Sequence, residues 1–297
     1  MPEMPLPDLE PDSIVVEKTA DGVTTIGINR PGRKNAINPP TATKLRAAFL
    51  DFEKDSSQKI CVFHGIGGTF CSGFDLSELR KWDKPTESKE ETASKPDAGG
   101  SHNSSGNSGS NSVTRTHFKP VKGRNEAPLG PGRMQIEKPV ICAISGHAVA
   151  GGMELSLLAD IRVVEEDAIF GIFSRRFGVP LLDGGTVRLQ EIIGLGRALD
   201  ILLTGRPVGA TEALHIGLAA KVVPKGNAFH EAMKMARALA AVPQECLNAD
   251  RKACYHAAYN SPSFEDAMSY EFEEAVKVSD LAINKAMNFN KREKARL

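Results

Sequence analysis

Two short stretches carry the glycines that let a main chain approach a ligand closely: residues 70–76 (FCSGFDL) and residues 146–154 (GHAVAGGME). Each follows an apolar run that reads as a buried strand, and the second opens a helical stretch whose first amides find no partner within the helix. Two such turns facing one another would aim two N–H donors at one oxygen and stabilise negative charge forming there. Neither is a nucleotide signature: the second turn has no G-x-G-x-x-G and lacks the lysine and serine of a phosphate loop. Singly, each reads as a tight loop, so their combination carries the reading.

Other chemistry-bearing residue types are scattered. The five cysteines (Cys61, Cys71, Cys142, Cys246, Cys254) never pair as C-x-x-C and read as reduced, mostly buried small residues, not metal ligands or nucleophiles. His64 and His147 lie nearest the glycine turns in sequence. Each reads as a structural histidine at a strand end, with acid–base service as the alternative.

The elements that must hold the two turns are legible around them. Runs 14–18 and 23–29, separated by Asp21-Gly22, predict a hairpin. Leu45, Ala48, Phe49 and Phe52 predict a helix over 41–53, and strands are expected at 60–64 and 139–145. A helix over 152–159 and strands near 161–164 and 168–171 follow, which argues for an α/β arrangement with a largely parallel sheet. Beyond Thr186 the chain reads as mainly helical, with Ala232, Met235, Ala236 and Leu239 at helical spacing. Residues 83–132, crowded with serine, glycine and asparagine, predict a disordered surface insertion, because they cannot bury enough apolar surface to offset their ordering entropy. The expected organisation is a core of 1–82 and 133–225, the insertion at 83–132, and a helical region at 226–297.

Composition narrows the function. Among 297 residues, 37 basic side chains balance 37 acidic ones, which removes the positive field a nucleic-acid binder carries. No apolar run is long enough to span a membrane, and the acidic, proline-rich start does not read as a secretory signal.

Several stretches, in order, are similar to the crotonase (enoyl-CoA hydratase/isomerase) superfamily: NRPGRKNAI (29–37), FCSGFDLSEL (70–79), KPVICAISGHAVAGGMELSLLADIRV (138–163), GVPLLDGGTVRL (178–189) and LTGRPVGATEALHIGLAAKVVP (203–224). The resemblance spans about 15–250 apart from the insertion. It implies an α/β fold, a spiral of ββα units with a helical C-terminal region that joins subunits into homotrimers or hexamers. It also implies an acyl-CoA substrate, with coenzyme A part of the substrate and no separate cofactor or metal.

Position by position, the resemblance makes the backbone N–H groups of Phe74 and Gly151 the oxyanion hole. It assigns coenzyme A to the loop Ser72, Gly73, Asp75, Leu76 and Ser77, with Arg33 and Lys34 as candidate phosphate partners or solvated turn charges. Glu154 matches one of the two glutamates with which hydratases of this family hold water. The other falls on Ser174, a departure, because serine cannot supply acid–base chemistry near neutral pH. Asp183, in LLDGGT, lies where related isomerases and hydrolases keep a catalytic aspartate, and equally reads as the N-cap of the next helix. Arg175 and Arg176 would lower the pKa of either carboxyl if they stood beside it.

The expected activity is reversible hydration of a 2-enoyl-CoA through a thioester enolate. Isomerisation or thioester hydrolysis on the same fold is the alternative, and a noncatalytic CoA- or RNA-binding relative a further one. Ala295-Arg296-Leu297 resembles the S-K-L address, an expectation of peroxisomal location in a eukaryote and cytoplasmic otherwise.

Overall fold

A computed structural model describes residues 10–78 and 120–294, with the side chains of 280–294 excepted. Most of the expected 83–132 insertion and the final tripeptide lie outside the described residues.

The hairpin forms as expected, β1 (Ile14–Lys18) against β2 (Val23–Ile28), with Gly22 at φ +89° in the turn. From β2 the sheet continues in parallel through β3 (Ile60–Gly65), β4 (Val140–Ile144), β6 (Ile161–Glu165) and β9 (Lys221–Val223). Every residue of β4 is buried, because the sheet is covered on both faces.

The alternation of side chains along β3 shows how. Cys61 and Phe63 face one core with Leu45, Phe49 and Phe52 of α1 (Pro39–Lys54). Ile60 and Val62 face a second, smaller core with Ala228, Ala232 and Ala236 of α6 (Ala228–Ala240). Helix α1 starts where Asn38 accepts the Thr41 amide at 3.0 Å, ahead of Pro39 and Pro40.

A small second sheet joins β5 (His147–Val149), β7 (Ile169–Gly171) and β8 (Val208–Gly209). Strand β5 lies inside the stretch read as a turn, and β8 and β9 lie in the stretch read as helical. All three are too short for periodicity to reveal. Helix α2 (Gly151–Ser156) follows β5 directly. Helices α3 (Gly185–Ile193), α4 (Leu195–Thr204) and α5 (Ala210–His215) come next. Beyond α6, the packed pair α7 (Gln244–Tyr259) and α8 (Phe264–Lys294) closes the described chain. Among the described residues no helix is long and apolar enough to cross a membrane.

One boundary shifts. Residues 120–132, read as the end of a disordered insertion, are part of the core: Ala127 and Leu129 are buried, and Arg124 pairs with Glu53 of α1 at 2.5 Å. Average composition over 83–132 masked these few apolar anchors.

Candidate active site

The first glycine turn is held from both sides. On one side Ile37 donates to the Gly73 carbonyl and Asp75 donates to the Ile37 carbonyl, each at 2.8 Å. In that bridge the N–H of the intervening residue, Phe74, points away from Ile37. On the other side Cys71 donates to His147 O at 2.9 Å, and Val149 donates to Cys71 O at 3.0 Å, so β5 runs alongside the turn. Gly73 sits at φ +96°, and a side-chain carbon there would lie 2.9 Å from the Gly151 nitrogen. The two turns therefore touch at a position only glycine fills.

The second turn is bent by Ala150, a non-glycine residue at φ 53°, ψ −127°, whose own amide donates to Gly171 O at 2.7 Å. That conformation sets Gly151 as the first residue of α2. Its amide is among those of the first turn that have no acceptor within the helix. The Leu129 side chain packs directly over Gly151.

Two carboxyl groups lie beneath. Glu154 is 3 % exposed, and its Oε1 accepts the amides of Asp183 at 3.0 Å and Gly185 at 2.9 Å. Asp183 is equally buried, and its Oδ1 accepts the Leu129 amide at 2.9 Å. Burial is the main force that pushes Glu154 up to about 8, with the negative charge of Asp183 adding to it against the two amides. Burial likewise pushes Asp183 up to about 7, opposed by the Leu129 amide and by Arg133 and Arg188. With Oε1 and Oδ1 engaged, Oε2 and Oδ2 are the atoms left to carry or release protons.

Several expectations are corrected. Asp183 does not cap α3: Gly184 is the N-cap residue, and the Asp183 carboxyl reaches back to Leu129 instead. Arg175 and Arg176 do not flank the carboxyls. Arg175 donates to Leu202 O at 3.3 Å, and Arg176 lies over the Phe173 ring at 4.4 Å. The cation that does clamp the site is Arg188, which donates to the carbonyls of Gly132 (2.9 Å), Met134 (2.8 Å) and Asp183 (3.1 Å).

The Asp75 side chain is engaged within the protein. Its carboxylate meets the buried Arg30 guanidinium at 3.1 Å and accepts from Ser77 N and Oγ at 3.1 and 2.6 Å. Desolvation works to raise its pKa, but the Ser77 and Arg30 hydrogen bonds outweigh it and hold the group below its ordinary value.

The remaining residues fall near the first turn. Arg33 and Lys34 are exposed beside it, the Lys34 carbonyl accepting Ser72 N at 3.1 Å, and Leu76 and Ser77 are exposed at its far end. Ser174 lies in a 3₁₀ turn, its hydroxyl buried and without a hydrogen-bond partner among the described residues. His64 is pushed down to about 4 by burial, with its ring 4.5 Å from Phe229. Among the described residues no group of three or more metal-ligating side chains comes together.

Sequence reasoning missed Leu129, Arg188 and Asn35. Asn35 ties the NRPGRKNAI turn to the glycine-rich loop through Ile66 O and Thr69 O, at 2.9 and 2.6 Å. Its signal is the motif itself, in which Asn35 follows the charged Arg33 and Lys34. Arg188 likewise lies in a quoted motif, GVPLLDGGTVRL, five residues after Asp183, whereas Leu129 acts on a partner 54 residues away and carries no local signal.

Comparison with known proteins agrees with this geometry. The family model for enoyl-CoA hydratase/isomerase matches residues 18–98 and 129–282. The chain is 32 % identical over 231 residues to enoyl-CoA hydratase EchA19 of Mycobacterium tuberculosis, covering 78 % of this chain and 75 % of that one. It is 30 % identical over 226 residues to probable enoyl-CoA hydratase 1, peroxisomal, of Arabidopsis thaliana, covering 76 % and 72 %. A solved enoyl-CoA hydratase from Mycobacterium tuberculosis H37Rv superposes with a TM-score of 0.74 at 28 % identity, over 94 % of this chain and 96 % of the other.

Proposed function

The chain belongs to the enoyl-CoA hydratase/isomerase family, and on that premise we propose that it adds water reversibly across the 2,3-double bond of an enoyl-CoA. The observation that carries the reading is the pair Glu154 and Asp183, two buried carboxyls of which the first accepts the backbone amide of the second, on the helix that opens at Gly151 and the loop before Gly185.

The thioester oxygen accepts from the amides of Phe74 and Gly151, and their fixed dipoles stabilise the enolate as it forms. Asp183, in its ionised form, accepts a proton from water at Oδ2 while the water oxygen bonds to Cβ. The π electrons move to the thioester oxygen. Glu154, protonated at Oε2, delivers its proton to Cα as the carbonyl re-forms. A proton then passes from Asp183 to Glu154, and the sum is one water added. Aspartate in this role answers the loss of a carboxylate at Ser174. Adding water leaves the net oxidation state of the thioester unchanged, so the step needs no redox cofactor.

Arg33 and Lys34 meet the phosphates of coenzyme A, and the backbone from Ser72 to Ser77 lies along its pantetheine arm. Exposed apolar side chains one helical turn apart support self-association into a homotrimer or hexamer: Leu195, Leu199 and Leu203 on α4, and Phe264, Met268, Phe272 and Val276 on α8. The similarity to a relative named as peroxisomal supports that compartment in a eukaryotic host, and a reporter carrying the last residues tests it.

Incubation with crotonyl-CoA should deplete the conjugated thioester absorbance and yield the 3-hydroxy product by mass. A product mass unchanged from substrate, with the double bond moved, would replace hydration by isomerisation; free thiol would replace it by hydrolysis.

A further inference from the structure

Beside the Asp183 loop lies an open cavity of about 460 Å³, walled by Val121, Leu181, Leu182 and Val187 together with Gly132 and Gly184. Gly132 rests against the Asp183 carboxyl, since a side-chain carbon there would run into Oδ1. The cavity thus begins where the proposed chemistry ends. A second cavity of about 460 Å³ shares Arg133 and Gln135 with the first and extends between the 120–137 segment and helices α7 and α8.

The second wall differs in kind. Arg124, Arg133, Arg251 and Lys252 line it against one carboxylate, Glu137, whose side chain is 70 % exposed. Glu137 lies 3.5 Å from Arg124, and the closer carboxylates stand outside the lining: Glu53 meets Arg124 at 2.5 Å and Asp160 meets Arg251 at 2.9 Å. Even so, Arg124 Nε and Arg251 Nη2 are buried and donate to no acceptor among the described residues. Lys252 is loosely held, 3.9 Å from Glu274. Those two atoms are closed to solvent, so it is the net positive charge of the lining that favours an incoming anion. The ligand that fits both cavities has an apolar chain and an anionic end.

We propose that this trough takes the far end of the acyl group and selects a carboxylate there, so that the preferred thioesters are ω-carboxyacyl-CoAs. The proposal rests on the acyl-CoA reading for where the chain enters, and on the lining cations for what it carries. Coenzyme A brings anions of its own, and the experiment separates them from the acyl carboxylate.

Dissociation constants are measured by calorimetry on the full chain for saturated, unreactive pairs: hexanoyl-CoA against adipoyl-CoA, and decanoyl-CoA against sebacoyl-CoA. The same acyl groups are tested on pantetheine, which lacks the CoA phosphates, and all are repeated with Lys252→Glu, a change at a half-exposed position. The expected result is that one carboxylated thioester binds about tenfold tighter than its neutral counterpart, the gain of one charge-assisted hydrogen bond. That preference persists on pantetheine, and Lys252→Glu abolishes it.

Equal or weaker binding of both carboxylated thioesters overturns the proposal, as does a preference that Lys252→Glu leaves intact. It also fails if Lys252→Glu weakens neutral and carboxylated CoA esters alike and the loss disappears on pantetheine, because the cations then serve the CoA phosphates. Crotonyl-CoA turnover in the same preparation judges the hydratase reading separately, since the binding preference is read without catalysis.

Discussion

The floor of the first glycine turn and the floor of the second each hold a buried aspartate, and the two titrate in opposite directions. Both are closed to solvent, Asp75 7 % and Asp183 3 % exposed, but Asp183 is the more deeply enclosed. Asp75 meets the guanidinium of Arg30 and is held ionised; Asp183 accepts one backbone amide, and burial pushes it toward neutrality. Desolvation raises both carboxyls, and hydrogen bonds from Ser77 and Arg30 overcome it at Asp75, whereas the Leu129 amide, Arg133 and Arg188 do not at Asp183.

Substitution should break the two floors differently. Glu154→Gln is expected to lower kcat about 10³-fold, the contribution of a positioned acid–base group. The melting temperature should not drop, because the amide oxygen can still accept from Asp183 and Gly185. Steady-state kinetics with a melting curve on one sample checks this, and a loss of folding without a specific loss of kcat would erase the distinction. Asp75→Asn should do the reverse. Stranding Arg30 with Glu10, whose side chain is 41 % exposed, costs about 2–3 kcal/mol, somewhat less than a fully orphaned buried pair. Denaturant titration should show that loss while turnover of the folded fraction stays near that of the unsubstituted chain.

The pH dependence sharpens the comparison further. Activity needs Asp183 ionised and Glu154 protonated, so kcat/KM should rise through about 7 and fall beyond about 8, values that belong to the coupled pair. Stability follows the same groups. Both carboxyls hold protons more tightly folded than unfolded, where they titrate near about 4, so the folded state carries the extra protons between those limits. Their stabilisation is full below about pH 4 and lost as pH rises through about 7 to 8. Asp75, held below its unfolded value, contributes above about pH 4 and loses that contribution as acid protonates it. Urea midpoints between pH 5 and 8 should therefore decline for the unsubstituted chain and flatten in Glu154→Gln.

The smallest expected effect is at the bend between the floors. Ala150→Gly relieves a positive φ at the cost of unfolded-chain entropy, a net gain below about 1 kcal/mol in denaturant unfolding.

Much of the scaffold is legible in the amino-acid sequence. The hairpin, α1, β3, β4 and the two glycine turns declare themselves within a few residues, through turn dipeptides, capping and apolar runs. Least legible is the stretch ending at 132, where a serine-rich composition conceals Leu129, whose amide holds Asp183 and whose side chain covers Gly151. Asp183 itself looks equally like a helix cap, because a cap and a site carboxyl leave the same local pattern.

Residue types and short-range spacing determined that this chain has two glycine turns after buried strands, and that Glu154 opens a helix beside one of them. Only the tertiary structure decided which carboxyls are free to do chemistry. The partners that settle their protonation come from far along the chain, Arg30 from 45 residues before Asp75, Leu129 from 54 before Asp183, and Glu154 from 29 before it. Coulombic and desolvation effects act through distance in space, and folding alone sets that distance.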